Sequence, residues 1–188
     1  MSGLFIRIFN LLFFPTKEWK TIAEEDNSRK TIYKKFVVPL LCFMTIATIV
    51  GTWLYTTREL YTLGYVIYKI AILWSSLSVA LYVSAFLVTE IMAQQLGQRN
   101  HKRDFALMAY SASVAYLVII VWAMFPFFSE FLVLILYSCY LYWIGIPFII
   151  QREGREQTFY GLLSFSIMMI TYILTFFLFG KILKAMLI

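Results

Sequence analysis

Five long apolar runs dominate this chain, and short segments that carry most of its charged residues separate them. A helix needs about 20 apolar residues to cross the roughly 30 Å hydrocarbon core of a bilayer. With 62% hydrophobic and 14% charged residues among 188, the chain has too little polar surface for a water-soluble globule. We therefore predict an all-α fold, a polytopic membrane helix bundle of about five transmembrane helices.

The apolar runs predict the positions of these spans as residues 36–55, 68–93, 105–125, 131–150 and 159–183. Residues 31–188 are expected to form the five-span bundle, and residues 1–30 an N-terminal cytoplasmic or interfacial helical segment. Gly145 and Pro147, near the end of the fourth run, predict a kink there, because proline removes a helical hydrogen-bond donor.

The apolar segment at residues 4–14 is too short to span a bilayer. Gly3, Arg7, Asn10 and Phe14 follow helical spacing and give it a narrow polar stripe, which is typical of an amphipathic helix lying in the interface. Pro15 is expected to end this helix, and Thr16 to cap a second short helix that reaches Glu24.

The distribution of basic residues predicts the direction of the bundle, because cytoplasmic segments of membrane proteins are enriched in lysine and arginine. Twelve basic residues fall on the face that carries the amino terminus: Arg7, Lys17, Lys20, Arg29, Lys30, Lys34, Lys35, Arg99, Lys102, Arg103, Arg152 and Arg155. The opposite face receives four: Arg58, Lys69, Lys181 and Lys184. We therefore predict a multi-pass membrane protein whose amino terminus is cytoplasmic and whose carboxyl terminus lies on the opposite side of the membrane.

The second and third runs are rich in small residues, among them Ser75, Ser76, Ala80, Ala109, Ala112 and Ser113. Small side chains let helix backbones approach closely, so these residues are candidates for a helix–helix contact. A serine-lined hydrophilic pathway is the other interpretation. It lacks the ionisable relay at mid-membrane that an ion-coupled transporter normally shows.

Catalytic signatures are absent from the sequence. It has no zincin motif, no phosphate-binding glycine loop and no Gly-x-Ser-x-Gly elbow, and its single histidine, His101, lies beside three cations. The charged residues within or beside the spans can all lie within a turn or two of an interface. We predict no enzyme activity, no catalytic residue, no cofactor and no metal site.

The net charge of +6 resides in segments that flank apolar runs, which favours the anionic leaflet over nucleic acid as the counter-charge. Candidate residues for docking a lipid or a protein partner lie in the two basic loops: Arg99, His101, Lys102, Arg103, Arg152 and Arg155. The expected partners are anionic membrane lipids and either a membrane protein or a second copy of the chain.

Residues 136–147, with the sequence LYSCYLYWIGIP, resemble the signature of the bacterial branch of the Yip family, the Ypt/Rab-interacting proteins and their prokaryotic relatives. Residues 14–22, FPTKEWKTI, are similar to the proline-tryptophan opening of that branch, and residues 109–111 to its small-Tyr-Ser segment. The five-span layout with an internal amino terminus is also shared. The resemblance covers nearly the whole chain.

The resemblance implies a five-span fold in the bacterial cell inner membrane, with the amino terminus cytoplasmic and the carboxyl terminus periplasmic. Eukaryotic members bind prenylated Rab GTPases in vesicle traffic, but their acidic Leu-Tyr-Gly-Pro motif and long polar amino-terminal region are missing here, and YKKFVVP stands before the first span. The leading hypothesis is a non-enzymatic scaffold, adaptor or accessory subunit that organises other membrane components. The alternative is a transporter or flippase-like protein for a lipid or small amphiphile.

Overall fold

The structure, a computed structural model, describes residues 3–25, 27–55, 63–97, 99–127 and 129–186. Within these ranges the chain is helical and contains no strand. The elements are α1 (Leu4–Phe13), α2 (Pro15–Glu24), α3 (Arg29–Ile32), a π-helical segment (Tyr33–Val37), α4 (Val38–Tyr55), α5 (Leu63–Leu96), α6 (His101–Ser111), α7 (Ser113–Met124), a 3₁₀ segment (Ser129–Ile135), α8 (Leu136–Ile149) and α9 (Gly154–Met186).

Five helical stretches among the described residues are long and apolar enough to cross a membrane: Arg29–Tyr55, Leu63–Gln95, His101–Met124, Leu132–Ile149 and Gly154–Ile182. The predicted all-α bundle of five spans, with a short apolar amino-terminal helix before it, is thus confirmed. Several helices begin before the predicted spans, since a helix can extend through polar residues beyond the hydrocarbon region. Arg58, which entered the basic-residue count, lies outside the described residues.

The first and third spans are interrupted where the ordinary helical hydrogen-bond ladder cannot continue. In the first, the π-helical segment Tyr33–Val37 ends two residues before Pro39, which has no N–H and whose ring crowds the preceding turn. In the third, a turn at Ala112 separates α6 from α7, and the Ala115 N–H donates to Ser138 Oγ on α8 at 3.1 Å. A side chain inserted into the ladder is a known cause of such breaks.

The fourth span is helical through Pro147 to Ile149, so the kink predicted from Gly145 and Pro147 stays a prediction. Pro147 leaves the Trp143 carbonyl without its usual donor, and the Gln157 side-chain amide donates to that oxygen at 3.2 Å. Gly145 permits close packing: an added Cβ would lie 2.5 Å from Leu107 Cδ1.

Two extended helix contacts organise the bundle. Helix α5 packs along α9, and α4 packs along α7, where an added Cβ at Gly51 would lie only 1.9 Å from the Ala123 carbonyl oxygen. Helices α6 and α8 complete the core, which also includes Ile8, Leu11 and Trp19 from the first two helices. The α1–α2 hairpin therefore packs into the same hydrophobic core as the spans.

The capping prediction for the second helix is wrong in detail. Helix α2 begins at Pro15, its N-cap position is Phe14, and no side chain caps it. Proline suits the first helical position because the N–H that it lacks would have no helical acceptor there. Thr16 consequently lies inside the first turn.

The bundle has two distinct ends. One of them, which we call the basic end, is formed by the α1–α2 hairpin and by residues 25, 27, 28, 99–103 and 150–152. Residues from each of these parts line shared cavities. The opposite end includes the contact between the Tyr55 and Phe127 rings, 5.5 Å apart. The sites described below lie at the basic end.

Candidate docking site

An arginine from the first helix is buried at the basic end. Arg7 is only 8% exposed, and its guanidinium donates two hydrogen bonds to the Glu25 carboxylate, at 2.5 and 2.8 Å. A third bond goes to the Tyr110 hydroxyl on α6 at 3.0 Å, and Arg7 Nε lies 3.2 Å from Glu18 Oε1 on α2. Asn10 donates to the second Glu18 oxygen at 2.9 Å. We refer to these five residues as the Arg7 cluster.

The electrostatics of the Arg7 cluster favour its charged form. Burial opposes the charge on Arg7, but the hydrogen bonds to Glu25 and Tyr110 and the negative charge of Glu25 outweigh it, so the pKa of the guanidinium lies above its ordinary value. The hydrogen bond donated by Arg7 is the main cause that lowers the pKa of Glu25 below its usual 4.5. A bidentate Arg–carboxylate pair of this kind also fixes the relative geometry of the two segments.

Apolar contacts hold the same hairpin against the spans. Trp19 is fully buried, and its ring lies against Gly145 of α8, where an added Cβ would come within 2.8 Å of it. The Tyr137 hydroxyl on α8 donates to the Leu12 carbonyl at 2.8 Å. These contacts turn the polar stripe of α1 toward the protein, and its outward face is apolar, with large side chains that are more than half exposed: Phe5, Ile6, Phe9 and Phe13.

A second buried charge joins three spans. Asp104, in the first turn of α6, accepts hydrogen bonds from the Thr89 hydroxyl of α5 at 2.6 Å and from the Tyr160 hydroxyl of α9 at 2.7 Å. All three side chains are buried. We call them the Asp104 cluster. Both carboxylate oxygens have donors, which buried carboxylates require.

The structure divides the predicted docking residues between two depressions. Arg99, Arg103 and Arg152 line a cavity of about 190 Å³ whose wall also includes Asp104. Arg99 pairs with Glu90 at 2.5 Å, and Arg152 pairs with Glu156.

His101 and Lys102 line a larger, open groove together with Arg99 and Arg103. His101 Nε2 lies 3.4 Å from a Glu90 oxygen. Arg155 is exposed and lines neither depression. The structure thus groups these residues differently from the two sequence loops, and their role in docking stays a prediction.

The larger depression is the cationic groove. It has a volume of about 670 Å³ and lies between residues 28–30, at the start of the first span, and residues 99–103, before and within the start of α6. Arg29 and Lys30 belong to it, although sequence reasoning used them only for membrane orientation. Their proximity to the 99–103 segment could not be read from residues about 70 positions apart.

The predicted packing residues are mostly buried. Ser76, Ala80, Ala109, Ala112 and Ser113 are buried, and Ser75 is half-buried. The hydroxyls of Ser75 and Ser76 donate to carbonyls of their own helix, one turn earlier. The α5–α6 contact that these residues predict includes a 3.6 Å bond from the Ser84 hydroxyl to Met108 Sδ.

Sequence reasoning missed the residues that fix the basic end. Arg7 appeared only in a polar stripe and in the count of basic residues. Nothing in the sequence marked Glu18 and Glu25 as its acidic partners. Tyr110 lay within the small-Tyr-Ser segment, and Asp104 was placed near an interface. Acidic residues are common in the first turn of a helix, so the sequence did not indicate that Asp104 bonds to other helices.

The chemistry available at the basic end is anion binding and electrostatic fixation. Among the residues that the structure describes, no group of three or more His, Cys, Asp or Glu side chains is arranged to hold a metal ion. The arginines and lysines can donate charge-assisted hydrogen bonds to phosphate or carboxylate groups.

Comparison with known proteins places this architecture in a family. The family model described as the Yip1 domain matches residues 9–180, which include half of α1, all of α2 to α8 and most of α9. Neither the curated proteins nor the solved structures include a match to the chain. The match covers the five candidate membrane spans almost completely, and the chain belongs to the Yip1 domain family of multi-pass membrane proteins.

Proposed function

We propose that this protein is a non-enzymatic scaffold, adaptor or accessory subunit that docks other membrane components at its basic end. The observation that carries the proposal is the fixation of the α1–α2 hairpin by the Arg7 cluster, beside the cationic groove. A surface held in one conformation loses less entropy when a partner binds. The hairpin also presents apolar side chains outward, so it can stay in the membrane interface while the basic surface remains available.

The proposed orientation places the basic end in the cytoplasm of a bacterial cell and the carboxyl terminus in the periplasm. The excess of basic residues at that end supports this direction. Fusion of a reporter after Ile188 tests it: alkaline phosphatase should be active there and a cytoplasm-dependent fluorescent protein dark. The reverse pattern would exclude the proposed orientation.

Site-specific photocrosslinking in native membranes tests docking. A photoreactive amino acid replaces Lys102, an exposed residue of the basic end, in the full chain. The control position is Ile173 in α9, which is also exposed but lies on an apolar span. We expect position 102 to give a discrete crosslinked protein, either another membrane protein or a second copy of the chain, and position 173 to give none.

Absence of a discrete product from position 102 and from two neighbouring exposed positions, 103 and 155, would contradict the docking proposal. Equal products from position 102 and position 173 would also contradict it, because they would indicate random collisions within the membrane. Expression at native level is essential, since overproduction promotes such collisions.

The serine hydroxyls of the second and third spans support the transporter alternative less well than the scaffold. Ser76 and Ser111 donate to carbonyls of their own helices, at 2.5 and 2.7 Å, instead of facing a polar channel. Labelling of cysteine substituents at positions 76, 111 and 113 by a water-soluble thiol reagent, added from one side, would favour transport. Uniform protection would favour the scaffold.

A further inference from the structure

The cationic groove brings together like charges from two distant parts of the chain. Arg29 and Lys30 lie on one side, and Arg99, Lys102 and Arg103 on the other. Among the residues that the structure describes, no acidic side chain lines the groove. One of its cations, Arg99, pairs with the Glu90 carboxylate at 2.5 Å. Five cations around one depression create a positive potential, which an anion with several negative charges would neutralise.

The position of the groove connects it to the lipid-facing surface. Its two sides lie at the starts of the first and third spans, so the groove is expected at the level of the lipid headgroups. His101, one of its lining residues, stacks on the ring of Phe86 at 6.0 Å, nearly parallel. Phe86 is more than half exposed on α5, and Tyr82, one turn earlier on the same helix, is also exposed. An acyl chain can follow this aromatic strip while its headgroup occupies the groove.

We propose that the cationic groove binds the headgroup of an anionic membrane lipid that carries more than one negative charge. Charge-assisted hydrogen bonds from arginine and lysine to phosphate oxygens would provide the recognition. The Asn100 side chain and the Ser28 hydroxyl, which both line the groove, offer additional polar contacts. This inference deepens the proposed docking function, on which it rests, by naming a lipid ligand for the same end of the bundle.

The test uses the purified full chain in a neutral detergent, without any protein partner. Binding of fluorescently labelled cardiolipin, which has two phosphates, is compared with that of phosphatidylglycerol at matched total charge. We expect cardiolipin to bind more tightly. The double substitution Arg29→Gln and Arg103→Gln should weaken cardiolipin binding about thirtyfold, since each basic residue near an anionic lipid surface contributes about 1 kcal/mol.

The matched control is Lys20→Gln with Arg155→Gln. Both residues are exposed and line no part of the groove. The control removes two positive charges, as the groove variant does. This control should keep its affinity for cardiolipin. If Arg29→Gln with Arg103→Gln fails to fold, judged by thermal unfolding without lipid, Lys30→Gln with Lys102→Gln replaces it.

Equal weakening in the groove variant and in the control would overturn the proposal, because only the total charge would matter. Equal binding of the two lipids would overturn it as well. Full competition by inorganic diphosphate at the lipid concentration would show that the ligand is a soluble anion and not a lipid. Because no protein partner is present, failure of this test leaves the crosslinking result, and with it the scaffold proposal, unaffected.

Discussion

Replacement of Arg7 by methionine should release the α1–α2 hairpin from the bundle. Methionine keeps much of the side-chain length but removes both hydrogen bonds to Glu25, the bond to Tyr110 and the contact with Glu18. The Glu18 side chain is 5% exposed and would remain as a buried charge without its cation. Removal of one partner from a buried pair typically costs about 3–5 kcal/mol.

The lower end of that range applies here. The Glu25 side chain is 30% exposed, so water can solvate it once Arg7 is gone. A loss of about 3 kcal/mol corresponds to roughly a hundredfold increase in the population of the undocked hairpin. Hydrogen–deuterium exchange of residues 4–24, with the protein in lipid nanodiscs, measures this population because undocking exposes the hairpin amides.

Two further variants test the physical reason for the effect. Adding Glu18→Met to Arg7→Met removes the unpaired buried charge, so most of the lost protection should return. Arg99→Met breaks the pair with Glu90, but Arg99 is 61% exposed, and exposed pairs contribute only about 0–1 kcal/mol. Normal protection in Arg7→Met, or a stepwise additional loss in the double variant, would refute the proposed role of the buried ion pair.

Three other substitutions or conditions have defined outcomes. Because Arg7 lowers the pKa of Glu25, this carboxylate stabilises the hairpin fully above pH 4.5, and the stabilisation should disappear as the pH falls through the lowered pKa. Hydrogen–deuterium exchange of the hairpin, corrected for intrinsic rates, should show this pH dependence, and the variant Glu25→Gln should lack it. Gly51→Ala forces a Cβ against the Ala123 carbonyl and should reduce stability by about 1–3 kcal/mol in thermal unfolding, whereas Gly64→Ala, with nothing within 4 Å, should not. Asp104→Asn replaces one acceptor oxygen by a donor that faces a hydroxyl, so we expect a loss of about 1–3 kcal/mol by the same assay, and an unchanged midpoint would contradict the interhelical role.

The number of spans was predictable because it depends on the length of apolar runs, which a sequence displays directly. The interruption of the third span was not, since it involves Ser138, which lies 23 residues from the Ala115 N–H to which it bonds. The start of α2 was predicted too late along the chain. Pro15 and Thr16 both favour a helix start, and the helix begins at the proline.

The basic end was predicted as a region but not as a site. Counting lysines and arginines located the cationic loops, because charge near a span end is visible in sequence. The same counting placed Arg7 among the surface cations, although it is buried among acidic partners. Burial of a charge depends on partners from other elements, and no periodicity in α1 distinguishes a polar stripe facing water from one facing protein.

Helix α6 connects the three features of the basic end. Its first residues line the cationic groove, Asp104 bonds to α5 and α9, and Tyr110 bonds to Arg7 of the hairpin. Asp104 and Tyr110 are six residues apart and thus point about 120° apart around the helix axis, toward different neighbours. A ligand in the groove consequently contacts an element that is fixed on two faces by buried charges. Such fixation keeps the cations of residues 99–103 in position, which is the property that a docking surface requires.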